Sequence, residues 1–153
     1  MGYRIDVVTE SVPEAIRHVG GFIFDRGRAG WRVVVVTDDV AHRRALTILG
    51  AVIESPGLGD GVGTTDPHVR ISASVVGGGT AQEDPAQHLL WGRPAPEATG
   101  RLHPVRHHLS AAARTFKAQA LYCTGLTATV EPWESFWADE PTGVSMHLSG
   151  SVR

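Results

Sequence analysis

The chain of 153 residues contains a single cysteine, Cys123, and a single lysine, Lys117, among its 14 basic residues. One cysteine cannot form an internal disulfide, and it excludes the paired-cysteine motifs that bind zinc or carry out redox chemistry. No apolar run of the sequence approaches the roughly 20 residues that a membrane-spanning helix needs. The first residues, MGYRIDVV, also lack the layout of a signal peptide. We therefore expect a cytoplasmic protein with no membrane partner.

The sequence has no excess of positive charge, since its formal net charge is −2. A chain with this charge balance is not attracted strongly to nucleic acid or to an anionic membrane. Hydrophobic residues make up 42% of the chain and charged residues 20%, which is ordinary for a folded domain. A domain of this size can form its own core without a metal or a disulfide. We predict one domain over residues 1–153, with no cofactor and no metal site.

The first third of the chain alternates strand and helix patterns. Residues 3–9 (YRIDVVT) predict a strand, and Ser11, Pro13 and Glu14 are typical of the start of a helix. The run VVVV at 33–36 indicates a strand that is covered on both faces, as in a parallel sheet. A short helix over 41–49 and a strand over 51–54 complete a β-α-β-α-β order, which favours a right-handed parallel arrangement.

The second half of the chain is less regular. Its patterns predict a strand over 69–76, a helix over 84–90, a longer helix over 105–123 and a half-exposed strand over 144–149. The segments 55–68 and 92–104 are rich in Gly and Pro and predict flexible loops. The predicted fold is a single α/β domain with a mainly parallel sheet, helices on both faces, and an antiparallel edge strand near the C-terminus.

Two glycines, Gly20 and Gly21, lie inside the first predicted helix. Each costs roughly 1 kcal/mol relative to Ala at such a position. We therefore expect a close contact at this point of the helix, within the domain or at an interface, that compensates for their cost.

Two segments, FDRGRAGWRVVVV (24–36) and ALTILGA (45–51), resemble a family of small α/β proteins from GC-rich bacteria. Members of that family share an F-D-R-x-x-A-G-W-x-V pattern and a terminal L-G-A. The matching residues are structural in type. The resemblance implies an α/β fold and no particular activity.

Polar side chains follow the first two predicted strands, at the edge where open parallel sheets bind ligands. Glu10 follows the first strand, and Asp38, Asp39 and His42 follow the second. These four residues are the candidates for ligand binding, and Asp38 and His42 are spaced to face one another. The alternative is that Asp38 or Asp39 caps the next helix.

Three specific chemistries are excluded or disfavoured at this edge. A dinucleotide-binding fold needs a Gly-rich turn after the first strand, where this chain has Thr-Glu-Ser-Val-Pro-Glu. A phosphate-binding P-loop needs a lysine after a Gly-rich loop, but Lys117 follows Phe116 within a predicted helix. A phosphoacceptor receiver domain needs an acidic pair on the first strand, an Asp at the end of a later strand and a Lys beyond it, whereas the strand predicted over 69–76 ends in glycines. No complete set of catalytic residues is recognisable.

Lys117, Cys123 and a histidine cluster are further candidates for reactive groups. We expect Lys117 to be exposed on its helix and Cys123 to be a small core residue. His103, His107 and His108 lack a third ligand with metal-binding spacing, so we expect no metal there.

Two segments of opposite charge favour an interaction role. Residues 93–117 carry five basic residues and one acid, whereas 131–140 carry four acids and no base. The acidic segment, EPWESFWADE, would align its aromatic rings on one helical turn, where they either seal the core or anchor a partner. The contact candidates are Trp133, Phe136, Trp137, Arg106, His107 and His108.

These observations favour a non-catalytic binding or regulatory protein that acts through protein–protein contacts, either with another protein or as a homo-oligomer. One alternative is a small enzyme, or a nucleotide or small-molecule sensor, with its site at the carboxyl ends of the strands. Another is a weak nucleic-acid-binding module, against which the net charge speaks. That module would use Arg101, Arg106, His107, His108 and Arg114.

Overall fold

A computed structural model of the protein describes residues 3–57, 69–73, 87–93 and 102–139. These residues form a single α/β domain with seven strands and three α-helices. A single turn of 3₁₀ helix, Val40–His42, precedes the second α-helix. The elements follow in the order β1 (Arg4–Val8), α1 (Val12–Arg28), β2 (Arg32–Val36), α2 (Arg43–Leu49), β3 (Val52–Glu54), β4 (Val69–Ala73), β5 (Gln87–Trp91), β6 (Leu102–His108), α3 (Ala111–Cys123) and β7 (Trp133–Asp139).

All seven strands belong to one sheet with the order β3-β2-β1-β4-β5-β7-β6. The first five strands in this order pair in parallel, and β7 pairs antiparallel with both β5 and β6. From β1 the chain moves outward through β2 to β3, and it resumes on the other side of β1 at β4. The predicted fold class, a mainly parallel sheet with an antiparallel edge, is confirmed.

Helix α1 begins where the sequence predicts. The hydroxyl of Ser11 accepts a hydrogen bond from the backbone N–H of Glu14, and Pro13 lies in the first turn. The helix ends at Arg28, and Gly30 follows it with a φ of 102°, a conformation that favours glycine.

The predicted close contact at the glycine pair of α1 is present. A Cβ at Gly20 would lie 3.3 Å from Cγ of Lys117 in α3. A Cβ at Gly21 would overlap the side chain of Leu109, just before α3. Glycine therefore lets α1 approach α3 and its N-terminal loop closely.

The three helices contact one another and so lie on one face of the sheet. Every second residue of the strands faces the helices. These residues are the part of the core that the sheet contributes, and they include Ile5, Val7, Val33, Val35, Ile71, Leu89 and Trp91. The sequence also predicts helices on the second face of the sheet. Residues 58–68 and 74–86, which lie before and after β4, are outside the described ranges, so this prediction stays open. None of the described helices is long and apolar enough to cross a membrane.

Three element predictions in the second half are wrong. Residues 87–90 of the helix predicted over 84–90 belong instead to β5, which pairs with β4 along its length. The helix predicted over 105–123 begins only at Ala111, because Ser110 accepts a hydrogen bond from the N–H of Ala113 and caps α3 there. Residues 102–108 form β6 instead, so the loop predicted over 92–104 is wrong for residues 102–104, and residues 94–101 lie outside the described ranges.

The aromatic segment is also not helical. Trp133–Asp139 is strand β7, which pairs with β6 along its whole length and with β5 at two positions. Cross-strand pairing on both sides outweighs the helical spacing of its rings. The strand predicted over 144–149 and most of the loop predicted over 55–68 lie outside the described residues.

Candidate functional site

The edge formed by the ends of β1 and β2 brings two of the four predicted ligand-binding residues together. One carboxylate oxygen of Asp39 accepts a hydrogen bond from the backbone N–H of Val12 at 2.9 Å. Both of its oxygens lie 3.0 Å from Nδ1 of His42. The predicted pairing of Asp38 with His42 is wrong, because Asp39 occupies that position. Glu10 and Asp38 are exposed.

Asp39 acts as a helix cap, although not for the helix that follows it. Its side chain makes no capping hydrogen bond to the 3₁₀ turn after it and instead caps α1 from the neighbouring loop. Although burial alone would raise the pKa of Asp39, the N–H of Val12 and the imidazole of His42 lower it. The cluster ties the loop after β1 to the loop after β2.

The start of α1 offers little to a phosphate group. The N–H of Val12 is bound by Asp39, that of Glu14 by the Ser11 hydroxyl, and that of Ala15 by the Ser11 carbonyl oxygen. Pro13 has no N–H. Phosphate binding at a helix N-terminus needs unoccupied N–H groups, so the geometry agrees with the absence of a dinucleotide motif.

The predicted contact residues lie on two faces of β7 and on β6. Phe136 points into the core and is 1% exposed, while Trp133 and Trp137 lie on the opposite face of the strand. The guanidinium of Arg106 lies 4.7 Å from the ring centroid of Trp133. The imidazole of His108 lies 6.3 Å from the same ring.

His107 contacts the helix layer instead of a free surface. Its Nε2 lies 3.1 Å from Oδ2 of Asp25, a carboxylate that also accepts hydrogen bonds from the backbone N–H and the hydroxyl of Ser110. Burial lowers the pKa of His107, and the nearby Asp25 opposes that shift. Asp25 thus joins the end of α1 to the start of α3.

A buried ion pair, which the sequence did not predict, joins α3 to β7. Nζ of Lys117 donates a hydrogen bond to Oε2 of Glu134 at 2.8 Å, and each residue is only 4% exposed. The expectation that Lys117 is exposed is therefore wrong. A buried charge of this kind is stable only if it is paired and hydrogen-bonded.

Glu134 is also bound by the backbone of α1. Its two carboxylate oxygens accept the N–H groups of Gly21 at 2.6 Å and Phe22 at 2.8 Å. Burial raises the pKa of Glu134, while the ammonium of Lys117 and the two N–H groups act in the opposite direction by stabilising the carboxylate. Glu134 holds Lys117 in place and connects α1, α3 and β7.

An open cleft of about 510 Å³ lies beside this ion pair, which we call the Lys117 cleft. Strand β5 pairs with β7 only at Leu89 and Leu90, so the two strands separate towards the carboxyl end of β5. Gly92, just after β5, borders the resulting gap. The residues that line the cleft are Arg17, His18, Gly92, Lys117, Leu121, Ala128, Thr129, Glu131, Trp133, Glu134, Ser135 and Trp137.

His18 provides a titratable group on the wall of the cleft. Its imidazole stacks on Trp91 with ring centroids 5.7 Å apart and planes 7° from parallel. Burial lowers the pKa of His18 from its ordinary value of 6.5, the nearby Glu14 raises it, and the charges of Arg17 and Lys117 lower it further. His18 is therefore neutral at pH 7 and can accept a proton.

The sequence contains a signal for Lys117 that depends on where α3 begins. With the helix starting after Ser110, its buried residues are Ala113, Lys117, Ala120 and Leu121, which have the i, i+4, i+7, i+8 spacing of one helical face. The helix predicted over 105–123 instead places Cys123 on the buried side. That prediction is wrong, because Cys123 is exposed.

No group of three or more His, Cys, Asp or Glu side chains within the described ranges is placed to hold a metal ion.

The chain matches no protein-family model, and no curated protein sequence matches it significantly. Its fold does match solved structures. The A40926 pseudoaglycone deacetylase Dbv21 has a TM-score of 0.65 and 16% identity, over 95% of this chain and 100% of that chain. The zinc-inhibited form of the teicoplanin deacetylase Orf2 has a TM-score of 0.63 and 13% identity, over 93% of this chain and 100% of that chain.

A third similar structure is GalB, the 4-carboxy-2-hydroxymuconate hydratase from Pseudomonas putida KT2440. Its TM-score is 0.58 at 13% identity, over 96% of this chain and 100% of that chain. The fold is thus similar to that of these two deacetylases and of the hydratase.

These similarities overturn the functional interpretation drawn from the sequence. The preferred prediction was a non-catalytic protein that acts through protein–protein contacts, whereas the solved structures with this fold are deacetylases and a hydratase. They favour the alternative of a small enzyme. Association of the chain with itself or with another protein stays a prediction.

Proposed function

We propose that the protein is a small enzyme that removes an acyl group by hydrolysis from a small molecule bound in the Lys117 cleft. One observation carries the proposal: a neutral imidazole and a buried ammonium group line the same cleft at the carboxyl end of β5. Clefts with a few polar groups and titratable residues of shifted pKa are the usual form of active sites.

In the proposed reaction, His18 is the general base. It takes a proton from a water molecule, and the resulting hydroxide attacks the acyl carbon of the substrate. The C=O electron pair moves to oxygen, which becomes an oxyanion. When the bond to the leaving nitrogen or oxygen breaks, protonated His18 returns the proton to that atom. The products are a carboxylic acid and an amine or alcohol.

Lys117 stabilises the oxyanion in this reaction. An ammonium group has three donors, and Glu134 is its one acceptor among the residues that the structure describes. The remaining donors can bind the oxygen on which charge develops, and the ammonium is effective there because it is fixed by Glu134 and largely shielded from water. Glu134 is a positioning residue, since it holds Lys117.

The similar structures support this reaction class. Deacetylases hydrolyse an acyl group and a hydratase adds water to its substrate, so both reactions require an activated water molecule. We also place the enzyme in the cytoplasm, because its single cysteine, Cys123, has no disulfide partner in the chain.

The experiment measures release of acetate by proton NMR from a panel of N-acetyl and O-acetyl compounds, with the wild-type protein and the His18→Gln and Lys117→Met variants. We expect His18→Gln to lower kcat by roughly 10²–10⁴-fold and Lys117→Met by about 10²–10³-fold. Because His18 must be neutral and burial lowers its pKa, kcat should also fall in acid, with a midpoint below the ordinary histidine pKa of 6.5.

Gln119→Met is the matched control, since Gln119 is exposed on the same helix as Lys117. It should leave kcat unchanged. Release of acetate that persists in His18→Gln but is lost in His42→Gln would contradict the proposal and assign the chemistry to the Asp39–His42 pair. Absence of turnover by the wild-type protein across the panel would also count against it.

A further inference from the structure

Two indole rings and a hydroxyl form a row along one edge of the Lys117 cleft. Trp133, Ser135 and Trp137 alternate along β7 with Glu134, Phe136 and Ala138, so the first three share one face of the strand. All three line the cleft, and Trp133 is 36% exposed. We call this set the tryptophan row.

The spacing of the row leaves room for a planar group. Residues two apart in a strand are separated by about 6.6 Å, so Trp133 and Trp137 stand about 13 Å apart with the small Ser135 between them. Arg106 stacks near the ring of Trp133 and helps to fix it. Such rings prefer flat partners that stack in an offset arrangement or meet edge to face.

The charges of the cleft do not select an ion. Arg17 and Lys117 are positive there, Glu131 and Glu134 are negative, and His18 is neutral at pH 7. A cleft with balanced charge gives no net attraction to a carboxylate or an ammonium ligand, and burying either would cost desolvation energy. Among the residues that the structure describes, Nζ of Lys117 donates to Glu134 alone, and its other donors suit an uncharged carbonyl oxygen.

We propose that the substrate of this cleft is an uncharged aryl amide or aryl ester. Its ring contacts the tryptophan row, and its carbonyl oxygen accepts a hydrogen bond from Nζ of Lys117. The inference rests on the hydrolytic function proposed above, because the bound carbonyl is the group that His18-activated water attacks. Hydrolysis of an N-acyl aniline would give a carboxylic acid and the free aniline.

Binding is tested apart from turnover by calorimetric titration of wild type and His18→Gln with three probes. Acetanilide carries the ring and no charge, N-cyclohexylacetamide carries a saturated ring, and 4-acetamidobenzoate adds a carboxylate. We expect acetanilide to bind about tenfold more tightly than N-cyclohexylacetamide, because the saturated ring loses the aromatic contacts. It should also bind about tenfold more tightly than 4-acetamidobenzoate, because burying a carboxylate costs desolvation energy.

Two variants ask whether the tryptophan row makes the difference. Trp133→Leu with Trp137→Leu should remove the preference for acetanilide over N-cyclohexylacetamide. If that protein fails to fold, Ser135→Leu provides the test, because Ser135 is exposed and a larger side chain there fills the space between the rings. Ser135→Leu should weaken the binding of acetanilide about tenfold or more, while the urea midpoint of unfolding stays unchanged.

The outcomes separate this inference from the proposed function. Equal binding of acetanilide and N-cyclohexylacetamide, or tighter binding of 4-acetamidobenzoate, would overturn the substrate class even if acetate were released from other compounds. Preference for acetanilide without any acetate release would support the ring selectivity and contradict hydrolysis.

Discussion

Removing either partner of the Lys117–Glu134 pair should lower the free energy of unfolding strongly. Removing both should lower it far less than the sum of the two single losses. Within the described part of the chain, Lys117→Met leaves a buried carboxylate with only the two N–H groups of α1 as donors. Glu134→Gln leaves a buried ammonium group without its carboxylate. Breaking one partner of a buried pair typically costs about 3–5 kcal/mol, because it leaves an uncompensated charge.

The double variant, Lys117→Met with Glu134→Gln, has no buried charge at this position. Its remaining defect is local: the glutamine carbonyl oxygen can accept one of the two α1 N–H groups, and the other loses its acceptor. An unsatisfied buried donor costs about 1–3 kcal/mol. We therefore expect the double variant to lose about 1–3 kcal/mol, against about 6–10 kcal/mol if the two single effects were additive.

Urea unfolding followed by fluorescence measures these free energies, provided that the slope with denaturant is the same in all variants. Gln119→Met on the exposed side of α3 should change stability by less than about 0.5 kcal/mol. Single variants that each cost below about 1 kcal/mol, or effects that add in the double variant, would refute the reasoning. The pair would then be exposed to water or would contribute independently.

Three further results are expected from stability measurements. Gly21→Ala should destabilise the protein because the new Cβ would overlap Leu109. Gly27→Ala, also in α1, should stabilise it by about 0.5–1 kcal/mol because its Cβ would enter open space. Equal changes of the two variants in thermal unfolding would contradict the glycine contact. Asp39→Ala should cost about 1–2 kcal/mol by removing the cap of α1, and Asp39→Asn should recover much of this, since an amide oxygen still accepts the N–H of Val12. His107 has a pKa lowered by burial, so the unfolded chain binds more protons; stability should fall as the pH drops below 6.5, less so in His107→Gln, in urea titrations at several pH values.

The sequence predicts the first part of the fold well because its signals are local there. Ser11, Pro13 and Glu14 mark the start of α1, and four consecutive valines mark a covered strand. The strands after residue 69 are harder to predict because their hydrogen bonds come from distant segments. β5 and β7 lie side by side although more than 40 residues separate their centres.

The candidate site shows the same difference. Asp39 and His42 are close in sequence and could be expected to interact. The Lys117 cleft combines residues of α1, α3, β7 and the end of β5, and its buried ion pair depends on which way Glu134 faces in a strand. Reading the aromatic segment as a helix placed Trp133 and Phe136 together, although they lie on opposite faces of β7. A helical period assigned to a strand therefore gives no indication of the cleft.

The most direct test of the Lys117 cleft as the active site is an amide chemical-shift titration of the ¹⁵N-labelled protein with acetanilide. The account predicts saturable shifts at His18, Gly92 and Ser135 and none at Asp39 or His42. Shifts confined to Asp39 and His42, or shifts that do not saturate, would contradict it.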